Sequence, residues 1–172
     1  MTDRNDFPVE LVIISNGFVY VGRHDAENCT IYDPRNVRRW GTTNGIGQIA
    51  FGGPTSETAL DACGDIIYNP QHLICTIATA DGVFDEALKR DAVTYDENKC
   101  VVVAESGFVF IGICEDRPAS LHISDASMVR SWSRETGALG GVSLGLGGVL
   151  DACGEVTLPS RAVIHRMRCV AS

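Results

Sequence analysis

The chain has 172 residues, of which 45% are hydrophobic, and a formal net charge of -8. This length suits one ordinary domain or two small ones, and the hydrophobic content is enough for a buried core, so the composition excludes a disordered chain. The acidic balance excludes general binding to duplex nucleic acid, which needs a broad basic surface.

The N-terminal stretch MTDRNDFPVELVIIS begins with polar and acidic residues. Its apolar run of about five residues is too short for a signal peptide or for a membrane span of about 20 residues. We therefore expect a cytoplasmic protein without a membrane partner. The seven cysteines are then expected to be reduced thiols, because disulfides are rare in that compartment.

The first elements of the chain follow β patterns. Residues 10–15 are β-branched and apolar, and residues 18–22 alternate at the period of two that is typical of a strand. Asn16 and Gly17 between them predict a tight turn. Residues 29–32 and 37–40 predict a third and a fourth short strand.

The next segment, residues 45–51, is rich in small residues and predicts one or two helical turns. Thr42, Thr43 or Asn44 is expected to cap this helix, because such side chains accept hydrogen bonds from the free N–H groups of a first turn.

A turn at residues 61–64 and strands at 66–68 and 73–77 then close the unit. After them, residues 81–90 predict a helix with Phe84 and Leu88 on one face. We expect this connector to pack across the two parts of the chain that it joins.

An internal repeat organises the sequence. Asn16-Gly-Phe-Val-Tyr-Val-Gly22 reappears as Ser106-Gly-Phe-Val-Phe-Ile-Gly112, and Ala59-Leu-Asp-Ala-Cys-Gly64 reappears as Val149-Leu-Asp-Ala-Cys-Gly154, each 90 positions later. Val37-Arg-Arg-Trp40 matches Val129-Arg-Ser-Trp132 after 92 positions.

This repeat predicts a mainly β (α+β) protein of two homologous lobes. Each lobe is expected to be a small curled sheet or barrel with one short helix. The expected boundaries are 1–78 for the first β repeat, 79–99 for the helical connector and 100–172 for the second β repeat.

A basic and aromatic cluster stands out in this acidic chain. Arg35, Arg38 and Arg39 fall within five positions and precede Trp40, and the second repeat keeps only Arg130 and Trp132 of this set. In one interpretation the arginine stacks on the indole or pairs with a carboxylate such as Asp33 or Asp125, and the tryptophan covers the sheet. In the other, the indole stacks on a planar ligand while the arginine binds its phosphate or carboxylate.

The residues after the first tryptophan favour the second interpretation. Hydroxyl and amide donors, and glycines at a predicted helix N-terminus, suit a compact anion, although the spacing is neither that of a P-loop nor of a dinucleotide fingerprint. The predicted ligand-binding residues are Arg35, Arg38, Arg39, Trp40, Thr42, Thr43, Asn44, Gly45, Arg130, Trp132 and Arg134.

Neither a metal, nor a cofactor, nor a catalytic set is predicted. Cys75 aligns with His165 and His24 with Cys114, an exchange that zinc sites tolerate, but no C-x-x-C or H-x-x-x-H pair exists. Whether Cys63 and Cys153 are core thiols or metal ligands stays open. Asp61 and Asp151 are expected to head turns and to bond their own backbone. The histidines form no triad pattern.

The segments GFVYVGR, DPRNVRRWGTTNGIGQIAFGGPT and LDACG resemble a family of small proteins of tailed bacteriophages, over most of residues 16–66. The second repeat matches the same family more loosely through GFVFIG, SMVRSW and VLDACG. The resemblance implies a small β-rich phage or prophage domain, here in tandem, and implies no reaction.

The leading hypothesis is a non-enzymatic protein that binds and sequesters a small anionic ligand. Small phage proteins that sequester nucleotide second messengers of bacterial immunity are a known functional class, so a nucleotide or cyclic oligonucleotide in the host cytoplasm is the expected partner. The alternatives are a virion or assembly accessory protein that uses the Arg/Trp cluster as a protein contact, and a nucleotide hydrolase. A homo-oligomer is compatible with each of them.

Overall fold

The protein is mainly β, as predicted, and a computed structural model describes its residues 3–172. One antiparallel sheet contains eleven strands: β1 (Val9–Ile14), β2 (Phe18–Asp25), β3 (Thr30–Arg39), β4 (Ala59–Ala62), β5 (Ile66–Tyr68), β6 (Leu73–Ala78), β7 (Tyr95–Ala104), β8 (Val109–Arg117), β9 (Ser120–Ser131), β10 (Val149–Pro159) and β11 (Val163–Val170). Three short helices accompany the sheet: α1 (Ile46–Gly52), α2 (Asp85–Leu88) and α3 (Ala138–Ser143). Among residues 3–172, no helix has both the length and the apolar character needed to cross a membrane.

The sheet is open, and its strand order is β10-β9-β8-β7-β11-β5-β3-β2-β1-β6, with β4 paired to β3. We call the part of the chain with β1 to β6 the first half and the part with β7 to β11 the second half. The first half has the order β6-β1-β2-β3-β5, and the second half has the corresponding order β11-β7-β8-β9-β10, so that β6 corresponds to β11 and β5 to β10. Strand β11 pairs with β5 and joins the halves. The sheet therefore runs continuously through both repeats, in place of the two separate barrel-like lobes that the sequence predicted.

The tight turns recur at matching positions. Asn16 and Gly17 between β1 and β2 have φ of 66° and 79°, and Ser106 and Gly107 between β7 and β8 have φ of 61° and 81°. Two consecutive residues with positive φ give the turn the right-handed twist of its flanking strands, which is why Asn-Gly predicted it correctly.

Strand β3 unites the predicted third and fourth strands. Asp33 lies at φ 52°, and its counterpart Asp125 in β9 lies at φ 48°. A residue in this left-handed region bends the strand without ending it. The face of β3 on which a side chain lies is therefore not set by simple alternation along the strand.

Three predicted elements differ from the structure. Residues 59–62 form strand β4, where a turn was predicted from 61. Helix α1 begins after Gly45, and no side-chain hydrogen bond caps it. The predicted connector, residues 79–99, has the single turn α2 as its only helix, and β7 already begins within it at Tyr95. Its Phe84 and Leu88 pack on a first-half core, so it does not bridge the two halves.

The central core draws on both halves. Val12 and Tyr20 from β1 and β2 contact a cluster that includes Val101, Ile164 and Leu139 from β7, β11 and α3. Helix α3 is tied into this core because the Ser143 hydroxyl accepts a 3.0 Å hydrogen bond from the Gly64 N–H. Neither half closes this core alone.

A buried histidine lies in this shared core. His165 is fully buried, and its Nε2 is 2.9 Å from the Tyr20 hydroxyl. Phe18 packs edge-on against the imidazole ring, at 4.7 Å between centroids. Burial lowers the pKa of His165 to about 3, so the neutral ring is the folded form.

Acidification should destabilise the protein through this histidine. The unfolded imidazole has a pKa of about 6.5, whereas the folded one has a pKa of about 3. Unfolding therefore takes up a proton between these two values, and the free energy of unfolding should fall by up to about 1.4 kcal/mol per pH unit across that window. Urea titrations at successive pH values measure this slope. His165→Gln should flatten it, and an unchanged slope in the variant would contradict the assignment.

The joint between the halves also requires a glycine. A Cβ built on Gly64 would lie 1.8 Å from the carbonyl oxygen of Arg168 in β11. Gly64→Ala should therefore destabilise the protein by about 1–3 kcal/mol, the scale of overpacking. Chemical denaturation measures the change. Gly47→Ala in α1 is the control, because nothing lies within 4 Å of its Cβ. Equal stabilities for the two variants would argue against a tight joint.

Candidate functional site

The arginine of the Arg-x-Trp pattern pairs with the aspartate of the Asp-Ala-Cys-Gly segment. Strand β4 brings Asp61 beside β3, where Arg38 donates from Nε to Oδ2 at 2.7 Å and from Nη2 to Oδ1 at 3.2 Å. This hydrogen-bonded carboxylate raises the pKa of Arg38 and keeps the guanidinium charged. The interpretation that this arginine pairs with a carboxylate is confirmed, but the carboxylate is that of Asp61 and not that of Asp33 or Asp125. Asp61 binds this side chain, where a bond to its own backbone was predicted, because residues 59–62 form a strand.

The second half contains a looser version of the same pair. Arg130 Nε lies 3.5 Å from Asp151 Oδ2, and these side chains are 63% and 44% exposed. The corresponding side chains of Arg38 and Asp61 are 36% and 9% exposed. The Asp61 carboxylate therefore depends on its arginine much more than that of Asp151 does.

A cavity of about 290 Å³ opens beside Arg38, between the two halves. The first half contributes Asn16, Gly17, Phe18, Asn36, Val37, Arg38 and Asp61, and the second half contributes Trp132, Arg134, Ala138 and Leu139. The structure therefore brings Arg38 together with the tryptophan of the other repeat. Among the described residues that line this cavity, Trp40 is not present.

Arg134 is the arginine of this cavity whose charge is not balanced by an ion pair. Within residues 3–172 its guanidinium forms no ion pair, in contrast to Arg38, whose charge is balanced by Asp61. The lining thus carries two arginines and one carboxylate, a net charge of about +1 at neutral pH. Trp132 adds an indole that is 43% exposed.

The other residues predicted from the first repeat lie elsewhere. Arg35 is buried, and it donates to the carbonyl oxygens of Pro34 at 3.3 Å and Lys89 at 3.1 Å, so it holds the connector. Burial lowers its pKa. Arg39 is exposed and lies 3.7 Å from a Glu57 carboxylate oxygen.

Trp40 lies just beyond the end of β3 and is 41% exposed. Its ring is close to the helix-capping glycine, since a Cβ on Gly45 would lie 3.9 Å from ring atom Cζ3. The register between β3 and β4 shifts between Val37 and Arg39, which breaks the alternation that placed Arg38 and Trp40 on one face.

The loop after Trp40 uses its polar groups internally. The Thr42 hydroxyl donates to the Gly45 carbonyl at 2.8 Å, and the Asn44 N–H donates to Gln48 Oε1 at 2.9 Å. The Thr43 hydroxyl also donates to Gln48 Oε1, at 3.3 Å. These groups stabilise the start of α1.

A larger cleft of about 650 Å³ lies by the connector, at Arg4, Arg23, Lys89 and Arg90. Two of its three arginines are engaged in internal ion pairs: Arg90 with Asp33 at 2.8 Å and with Asp65 at 3.3 Å, and Arg4 with Asp65 at 3.1 Å. Burial raises the pKa of Asp65. This cleft is larger than the cavity at Arg38, and its Arg23 donates to the Asn5 carbonyl at 3.2 Å without forming an ion pair among the described residues. None of the described residues that line it is aromatic, so it offers a base no stacking surface.

The cysteines show no arrangement of ligands around an ion. Cys63 is buried, which raises the pKa of its thiol to about 12, whereas Cys153 is exposed. Across residues 3–172, no group of three or more His, Cys, Asp or Glu side chains is placed to hold a metal.

Sequence reasoning missed Phe18, Asn36 and Asp61 as parts of the site. One signal for Asp61 was available, because Arg38 and Asp61 recur together as Arg130 and Asp151 in the second repeat. Nothing in the sequence pointed to Phe18 or Asn36, because the cavity wall that they form depends on the packing of the other half.

The two arginine–aspartate pairs should differ in their contribution to stability. Arg38→Ala leaves the carboxylate of Asp61 unpaired at 9% exposure, so it should cost about 1–3 kcal/mol. Arg130→Ala, the matched control, removes an exposed pair and should cost less than about 1 kcal/mol. Denaturant unfolding compares them, and a larger loss for Arg130→Ala would contradict the structural difference.

A scan against protein-family models, a search of curated proteins and a search of solved structures each find no match for this chain.

Proposed function

We propose that this chain is a non-enzymatic binding protein that sequesters a small planar anion in the cavity between its two halves. We further propose that the halves are two copies of one unit and that the anion is a nucleotide of the kind used as an immune second messenger. The observation that carries the proposal is the meeting of Arg38 with Trp132 and Arg134 in one concave site.

The chemistry of the lining suits a nucleotide. The indole of Trp132 offers a stacking surface for a base, which typically contributes about 1–3 kcal/mol per base. The guanidinium of Arg134 is available for a phosphate, and Arg38 keeps its Nη1 for a second contact, because its bonds to Asp61 use Nε and Nη2. Asn36 adds an amide.

The volume of the cavity limits the size of the ligand that it can hold. Its volume of about 290 Å³ lies just below the range of roughly 300–1,000 Å³ for small-molecule sites. One nucleotide unit fits this volume better than a complete cyclic oligonucleotide does. A larger ligand would place one base here and the remainder outside.

Binding without turnover is favoured by the composition of the lining. Asp61 is its only carboxylate among the described residues, and Arg38 holds it in a bidentate pair. Acid–base hydrolysis needs two separately tuned groups, and a sequestering protein needs affinity alone. Phage origin and a location in the host cytoplasm are part of this proposal and rest on the resemblance of residues 16–66.

Arg134→Ala is the sharpest test, because this arginine is uncommitted and its loss should leave folding intact. Isothermal titration calorimetry should compare AMP, GMP, cyclic di-AMP and cyclic di-GMP. We expect at least one to bind, and Arg134→Ala to weaken it by about 1.5–3 kcal/mol, the scale of a charged hydrogen bond. Arg161→Ala, in an exposed turn, is the control.

Two outcomes would redirect the proposal. Failure of all four nucleotides to bind would favour the alternative of an assembly protein that uses Arg134 and Trp132 as a protein contact. Recovery of a bound nucleotide in cleaved form would favour a hydrolase, whereas intact recovery supports sequestration.

A further inference from the structure

The joint between the halves pairs one edge strand of each half, and the counterparts of these two strands elsewhere in the chain have an unpaired edge. In the joint, β11 pairs with β5 in the register His165 to Tyr68, Arg166 to Ile67 and Met167 to Ile66. The counterpart of β11 in the first half is β6, and the counterpart of β5 in the second half is β10. Within residues 3–172, β6 and β10 end the sheet, and each pairs on one side only.

Side chains at the paired edges are buried, whereas their counterparts at the unpaired edges are exposed. Ile164 in β11 is 1% exposed, whereas its counterpart Ile74 in β6 is 64% exposed. In the same way, Cys63 before β5 is buried and Cys153 in β10 is exposed. Exposed apolar residues on an open edge strand form a ready surface for pairing with another chain.

We propose that a second copy of this chain pairs its β10 with β6 of the first and so repeats the internal joint between molecules. The ligand part of this inference rests on the proposed function. The partner is a second copy because the two open edges are counterparts of two edges that already fit each other.

The internal joint gives the expected register. Shifted by 90 positions, it places Cys75 opposite Leu158, Thr76 opposite Thr157 and Ile77 opposite Val156. Strand β6 carries no charged side chain, so like charges do not oppose the pairing.

The ladder between chains is expected to be one hydrogen bond shorter than the internal one. In the internal joint the Asn69 N–H donates to the Ile164 carbonyl at 3.0 Å. Pro159 occupies the corresponding position in β10 and has no N–H to donate.

Association would complete a second ligand site. In the internal cavity the half that provides β5 supplies Arg38 and Asp61, and the half that provides β11 supplies Trp132 and Arg134. Between chains, Arg130 and Asp151 of one copy would face Trp40 and Thr42 of the next. All four are counterparts of internal-site residues, and Trp40 is 41% exposed and ready for this role.

The second site should bind more weakly than the first. Thr42 stands where the internal site has Arg134, so one positive charge is absent. We therefore expect two classes of site, one within each chain and one between chains.

The joint is heterologous, because each chain uses β6 on one side and β10 on the other. Such contacts generate closed rings or open filaments. The species formed should therefore grow with protein concentration until a ring closes.

Sedimentation velocity over the widest attainable concentration range tests the association. Arg168 N–H in β11 donates to the Asp65 carbonyl, and backbone groups two residues apart face the same side of a strand. The N–H of Thr76, the counterpart of Arg166, should thus point to the open edge. Thr76→Pro should abolish association, and Thr76→Ala, which keeps the N–H, should not.

A second variant guards against misfolding of the proline protein. Ile74 is 64% exposed in the single chain, so Ile74→Glu should fold normally while placing a charge in the proposed joint. Wild-type protein that stays a single chain at every concentration would overturn the inference, as would association of both disruptive variants.

Calorimetry with AMP, GMP, cyclic di-AMP and cyclic di-GMP separates this inference from the proposed function. Two sites per associated wild-type chain, and one per Thr76→Pro chain, are expected. One site per chain in both would overturn the intermolecular site. Association without any nucleotide binding would support the proposed strand pairing. It would overturn both the second ligand site and the proposed function.

Discussion

The pairing of β11 with β5 is the constraint on which the rest of the molecule depends. It joins the six strands of the first half and the five strands of the second half into one sheet, and it brings residues of β1 and β2 into the same core as β7, β11 and α3. Only three residue pairs define its register. Its strength therefore lies in what it buries, including Ile164 and the Tyr20–His165 contact, more than in its backbone hydrogen bonds.

The candidate site follows from the same pairing. Arg38 belongs to β3 in the first half, and Trp132 follows β9 in the second half, so no single repeat contains the cavity. This arrangement explains why the two arginine–aspartate pairs differ in exposure. Asp61 is buried against its arginine because the other half covers it, whereas Asp151 has no such cover and stays 44% exposed.

Local features were predictable from the sequence, and contacts between halves were not. The duplicated Asn-Gly and Ser-Gly turns, the strands around them and helix α1 follow from residue patterns that act over a few positions. The side-chain directions near Arg38 did not follow, because the left-handed Asp33 and the register shift before Arg39 break the period of two. The burial of Arg35 depends on the connector folding back over the first half, which no local pattern specifies.

The covalent connector has an energetic consequence for this short joint. Two separate units that associated through three residue pairs would lose translational and rotational freedom, at a cost of about 4–15 kcal/mol. Linked units lose only the entropy of closing a loop, and the free-energy cost of this loss grows by about 0.6 kcal/mol for each doubling of loop length. Arg90 further anchors the linker to Asp33 and Asp65. The cavity at Arg38 is thus already assembled at any dilution of the protein.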